Sequence, residues 1–212
     1  MLNIFLCLLI PFLILVLAEY LWRKKILRGE LQRKLIHITT GCFVASWPWL
    51  ISWRSIWIIG LAMAIVVALN RVVTVLHFSD RINRDSYGDL FFALTIFFSA
   101  LFITNKTYFA IAILIMSLSD GLAALVGKKY GKSNSYKIFD QTKSIAGSAT
   151  FWAVSLIILA IGLSGQHLKP HEYWLVVILL PPALTLIENT VILGLDNLAV
   201  PLIALLALSS LN

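Results

Sequence analysis

Apolar residues in this chain gather into eight runs separated by short polar loops. The runs cover 2–22, about 34–51, 55–76, 89–104, 107–127, 145–164, 172–193 and 197–211. Runs of this length match helices that cross a hydrocarbon core of about 30 Å, some of them short or tilted. Dividing 34–76 into two helices rests on Pro48 and the polar Ser52-Trp53-Arg54 turn. The pattern predicts an all-α, polytopic membrane protein with eight transmembrane helices in a single domain, 1–212. It shows no tandem repeat, low-complexity tract or interdomain linker.

Composition agrees, with 60% hydrophobic and 13% charged residues and a mean hydropathy of +0.91. The net charge of +7 does not indicate nucleic acid, because the basic residues sit in the short loops between apolar runs. Arg23, Lys24, Lys25, Arg28, Arg33 and Lys34 follow the first run. Arg71, Arg81 and Arg84 follow the third, and Lys128, Lys129, Lys132, Lys137 and Lys143 follow the fifth. These are fourteen of the seventeen Lys and Arg, while Arg54, Lys106 and Lys169 fall one each in the alternate loops. Since cytoplasmic loops hold the basic residues, both termini are expected on the non-cytoplasmic side. The first run lacks a basic n-region and reads as an uncleaved anchor. Trp22, Trp47, Trp49, Trp53, Trp57 and Trp174 lie near run ends, as interfacial aromatics do. Cys7 and Cys42 lack metal-type spacing and sit in apolar stretches, which gives neither a disulfide framework nor a zinc site.

Against this background the stretch from Ser117 to Gly147 stands out, with an intramembrane acid leading into a Gly- and Lys-rich segment. An aspartate at membrane depth costs roughly 2.5–3.5 kcal/mol and is a site hypothesis by default. In the eight-helix topology Asp120, Glu188 and Asp196 approach the cytoplasmic surface from three different helices. Lys143 and Ser144 precede the sixth helix and Asn197 opens the eighth. Three carboxylates with lysines on the intervening loop are what a Mg²⁺-nucleotide site requires. Gly127 to Gly131 is expected to be loop, because two lysines between the glycines do not suit a lipid-embedded packing face. Lys143 adjoins Gly147 and Ser148 at a helix start, an anion-binding arrangement. Arg33, Lys34, His37 and Gly41 share one face at the start of the second run, and Arg84, Tyr87, Gly88 and Asp89 are weaker rim candidates.

Each feature also has a purely structural explanation. Asp120 could hydrogen-bond Ser117 and Ser119, Asp196 and Asn197 could cap their helix, and His37 could satisfy an interhelical hydrogen bond. The lysines after the fifth run also serve as topology determinants or contacts for anionic lipid. A small ion-coupled transporter would use the acids but leaves the Gly-Lys segment unexplained.

Four ordered segments carry a family likeness: Arg33-Lys34-Leu35-Ile36-His37 with Gly41; Asp120-Gly121-Leu122-Ala123 with Gly127 and Gly131; Lys143-Ser144-Ile145-Ala146-Gly147-Ser148; and Asp196-Asn197-Leu198-Ala199-Val200-Pro201. The chain resembles the CTP-dependent polyprenol kinase family, which includes dolichol, phytol and farnesol kinases and a CTP-dependent diacylglycerol kinase. The resemblance implies transfer of the CTP γ-phosphate to a lipid alcohol in the membrane, with the nucleotide arriving from the cytoplasm and Mg²⁺ as cofactor. It implies Asp120, Lys143 and Asp196 as catalytic residues and Asp120, Asp196 and Glu188 as metal ligands. Gly121, Gly127, Gly131, Lys132, Ser144, Gly147, Asn197, Lys34 and His37 would bind the nucleotide. Phosphatidate cytidylyltransferases share the middle motif, but their longer ending is absent after Glu188. Ala146 stands where many members have Glu, and the segment from Gly194 to Leu202 is similar to that of phytol kinases.

Overall fold

A computed structural model describes residues 2–73, 86–139 and 141–211. His77, Arg81 and Arg84 lie outside the described residues. The chain forms α1 (Leu2–Arg23), α2 (Gly29–Ala45), α3 (Trp47–Leu50), α4 (Trp53–Val73), α5 (Gly88–Phe102) and α6 (Lys106–Leu114). A π-helical turn (Ile115–Ser119) joins α6 to α7 (Asp120–Tyr130). Strands β1 (Ser135–Ile138) and β2 (Gln141–Ser144) follow, then α8 (Ile145–Leu163), α9 (Pro170–Thr190) and α10 (Asp196–Ser209). The protein is an all-α membrane protein whose helical stretches Leu2–Arg23, Trp53–Arg71, Lys106–Tyr130, Ile145–Leu163 and Pro170–Thr190 are long and apolar enough to cross a bilayer. Gly88–Phe102 and Asp196–Ser209 are shorter apolar helices.

Every apolar run is helical over most of its described residues, and the departures have local causes. The second run starts earlier than expected because Glu30 and Arg33, an i,i+3 pair at 2.5 Å, support an extra polar turn. It breaks at Ser46, where Pro48 cannot donate a hydrogen bond and clashes with the carbonyl four residues back. Gly127–Gly131 is not loop. It is the last turn of α7, and Gly131 is its C-cap. The glycines are there because α7 lies against the start of α8: a Cβ at Gly131 would overlap Ser144 Cβ, and one at Gly127 would meet Ser144 Oγ at 2.9 Å. The segment beyond is an antiparallel hairpin with Ser135 opposite Ser144, an element that the apolar pattern does not announce.

The stretch α6–α7 is the central element. Its apolar residues face two ways: Ile111, Ala112 and Ile115 join a cluster with α8, α9 and α10, while Phe109, Ile113 and Met116 join one built with α1 to α5. A helix apolar all round is a buried helix, which this one is. Helices α1 and α2, α7 and α8, and α8 and α9 run antiparallel, whereas α5 and α10 run parallel from Gly88 and Asn197. Gln32 bonds Ala18 while Asn3 bonds Leu50, Ser119 meets Ser155, and Ser148 meets Asn189. The start of α2, the end of α7, the hairpin, the end of α9 and the start of α10 therefore share one end of the bundle.

Candidate active site

The π-helical turn ends one residue before Asp120. Such turns widen a helix and frequently lie at functional sites. Here the Met116 carbonyl accepts a hydrogen bond from His37 Nε2 at 3.0 Å. Asp120 Oδ2 accepts from Lys34 Nζ at 2.5 Å and lies 3.5 Å from His37 Nε2, with Lys34 and Asp120 only 5% and 7% exposed. The expected partners Ser117 and Ser119 are engaged elsewhere: Ser117 Oγ donates to the Ile113 carbonyl, and Ser119 pairs with Ser155. The lysine from α2 is the partner that makes a buried carboxylate tolerable.

A second ion pair faces the first. Lys143, on β2, donates to Glu188 Oε1 at 2.5 Å and to the Glu188 carbonyl at 3.0 Å. Asp196 completes the group, and carboxylate oxygens of Asp120, Glu188 and Asp196 all lie within 4.8 Å of one another. Among the described residues no cation pairs with Asp196. Three carboxylates thus meet two ammonium groups, which leaves an excess negative charge in one spot. Asn197 donates to the Gly88 carbonyl (2.9 Å), its own carbonyl accepts from Thr95 (2.6 Å), and its buried Oδ1 has no partner among the described residues. Neither Asp196 nor Asn197 caps α10, whose N-cap is Leu195. An all-oxygen cluster with surplus negative charge and a spare acceptor beside it fits a hard divalent cation. At the start of α2, burial alone would raise the Glu30 carboxyl, but the Arg33 hydrogen bond and charge outweigh it and hold the group below its ordinary value.

These side chains line a cavity of about 970 Å³. Of the residues singled out in the sequence, Lys34, Asp120, Gly127, Gly131 and Lys132 line it, as do Lys143, Ser144, Gly147, Glu188, Asp196 and Asn197. His37 stands behind the wall against Asp120, and Gly121 packs on Ile38. Lys128 also lines the cavity, whereas Lys129 lies over the Tyr130 ring. At the expected anion site two donors are already satisfied: Ile145 N–H bonds the Asn134 carbonyl, and Gly147 N–H bonds Ser144 Oγ. Side-chain cations therefore supply most of the positive charge here.

Sequence reasoning missed Glu30 and Tyr136. The i,i+3 spacing to Arg33 was a usable signal for Glu30. Tyr136 carried none, because its hydroxyl lies 2.6 Å from Ser148 Oγ and 3.1 Å from Asn189 Oδ1, on two other elements. This contact pins the hairpin to α8 and α9. Tyr136→Phe should cost about 1 kcal/mol and lower the midpoint of thermal unfolding in detergent by about 2–4 °C. An unchanged midpoint would mean that the hydroxyl holds nothing.

A membrane helix bundle with three clustered acids, lysines and a large cavity at one end belongs to the class of membrane proteins with a polar ligand site. Comparison with known proteins narrows that class. The chain is 33% identical over 199 residues to a phytol kinase of Synechocystis sp., covering 87% of this chain and 81% of that one. It is 27% identical over 212 residues to phytol kinase 1, chloroplastic, of Arabidopsis thaliana, covering 89% and 69%. A probable phytol kinase 1, chloroplastic, of Glycine max is 29% identical over 158 residues, covering 66% and 50%. No family model matches the chain. No solved structure matches it. The chain belongs to the phytol kinase family within the polyprenol kinases, and it is a kinase.

Proposed function

We propose that the protein transfers the γ-phosphate of CTP to the hydroxyl of an isoprenoid alcohol, phytol foremost. The acid cluster and its two lysines carry this reading, supported by the relatives named phytol kinases. The donor and the wider acceptor class rest on the four family-like segments.

Asp120, Glu188 and Asp196 would hold Mg²⁺, and Lys34 and Lys143 fix the first two acids in place. When bound, Mg²⁺ supplies charge neutralisation at the transferring phosphate. Lys132, Lys143 and Arg33 face the remaining phosphate oxygens, because phosphoryl transfer asks the protein chiefly to position reactants and offset charge. The attacking hydroxyl gives its proton to a carboxylate of this cluster, and CDP leaves as the γ-phosphate is transferred. The cavity opens toward the cytoplasm at the leaflet boundary, so the nucleotide enters from water while the lipid tail stays in hydrocarbon. That arrangement follows from eight crossings, with the basic clusters inside and both termini outside.

Purified protein supplied with γ-labelled CTP or ATP and a panel of phytol, farnesol, geranylgeraniol, a polyprenol and diacylglycerol tests the reading. Label should appear on phytol from CTP and vanish with EDTA. Label on diacylglycerol alone, or nucleotide transfer to phosphatidate, would replace the isoprenoid assignment, and no nucleotide turnover at all would favour a transporter. Topology has a separate check: in a cysteine-free background, Lys137→Cys should react with an impermeant maleimide only from the cytoplasmic side. Labelling from the other side would overturn the eight-crossing orientation.

A further inference from the structure

The charged cavity has an apolar mouth. Phe139, at the hairpin turn, is 75% exposed, and Ile192 and Leu193, between α9 and α10, are 45% and 49% exposed. All three line the same cavity as the acids. Gln141 Nε2 donates to the Val191 carbonyl at 3.4 Å and so ties the hairpin to that turn. Phe139 and Leu193 also hold the left-handed backbone conformation, at φ 51° and φ 60°. That conformation is uncommon outside Gly and Asn and unfavourable for bulky side chains. Exposure and backbone both argue against Phe and Leu here unless the side chains meet something apolar. Placement says what: the three residues share one cavity with the acids, so a ligand whose polar end sits at the acids can lay an apolar portion against them.

We propose that Phe139, Ile192 and Leu193 form the subsite for the acceptor's tail beyond its first isoprene unit, and so determine which alcohols are accepted. The proposal deepens the reading of the protein as an isoprenoid alcohol kinase and rests on it.

Phe139→Asn and Leu193→Asn test it, because Asn tolerates left-handed backbone and removes the apolar contact without new strain. With the full-length protein in nanodiscs, kcat/KM is measured for phytol and for a single-unit alcohol, 3-methylbut-2-en-1-ol. Each substitution should lower the phytol-to-short-alcohol ratio by roughly tenfold, the scale of discrimination by an apolar pocket. An equal loss on both acceptors, the result expected if Phe139 merely anchors the hairpin in the bilayer, would overturn the proposal, as would no change in the ratio. A second measurement needs no turnover: a diazirine-bearing geranylgeraniol should crosslink to the segments around Phe139 and Ile192–Leu193, and unlabelled geranylgeraniol should compete it away. Adducts confined to lipid-facing helices and not competed would sink the subsite. Competed rim adducts on a protein that phosphorylates no alcohol would sustain the subsite and remove the kinase reading instead.

Discussion

Asp120→Asn is expected to abolish phosphotransfer, with kcat falling on the order of a thousandfold, and also to destabilise the protein. The second effect comes from Lys34. Its ammonium is buried against Asp120, 2.5 Å away, and deleting one partner of a buried pair costs roughly 3–5 kcal/mol because the other charge is left unpaired. The midpoint of thermal unfolding in detergent should drop by roughly 10 °C. Adding Lys34→Met removes the stranded charge, so the double variant should regain most of that stability and none of the activity. This split separates the acid's chemical role from its structural one. Wild-type-like turnover in Asp120→Asn would remove Asp120 from the chemistry, and an unshifted midpoint would show that water reaches Lys34.

Gly41→Ala should impair the same pair from a distance. Gly41 sits on α2 directly over the π-helical turn, where an added Cβ would overlap Ser117 Cβ and fall 2.5 Å from its Oγ. Overpacking of this kind typically costs 1–3 kcal/mol, partly offset because Ala is the better helix former by up to about 1 kcal/mol. The larger consequence is positional. Pushing α2 away from the turn draws Lys34 and His37 off Asp120, and a misplacement of about 1 Å costs activity by up to a hundredfold. Ser117→Gly removes the atoms that clash, so Gly41→Ala/Ser117→Gly should recover activity that the single variant loses. If Gly41→Ala turned over normally, or the second change rescued nothing, the close contact between α2 and the π-helical turn would not govern the site.

The acids were legible because carboxylates in apolar helices are costly and need a reason, and Asp120, Glu188 and Asp196 do converge. Which cation faces which acid was not legible. Lys34 and Asp120 are 86 residues apart, and Lys143 and Glu188 are 45 apart, so only helix packing could pair them. The same holds for Tyr136, and for the rim formed by Phe139 and Leu193, whose unusual backbone leaves no trace in composition. Gly127 and Gly131 were misread as loop for a related reason. Glycine spacing serves a flexible turn and a tight helix contact equally well, and only the position of Ser144 and Gly147 decides between them.

From its sequence alone the chain determined where most of its helices lie and that five helical stretches are apolar and long enough to cross a bilayer, because apolar segments in lipid must close their backbone hydrogen bonds locally. It also determined which rare polar residues demand an explanation. The tertiary structure alone decided how those residues meet: the ion pairs, the 4.8 Å acid cluster and the apolar mouth. Side chains on separate helices acquire partners only when packing sets rotation and depth, and those depend on close contacts such as Gly41 on Ser117 that no local pattern encodes.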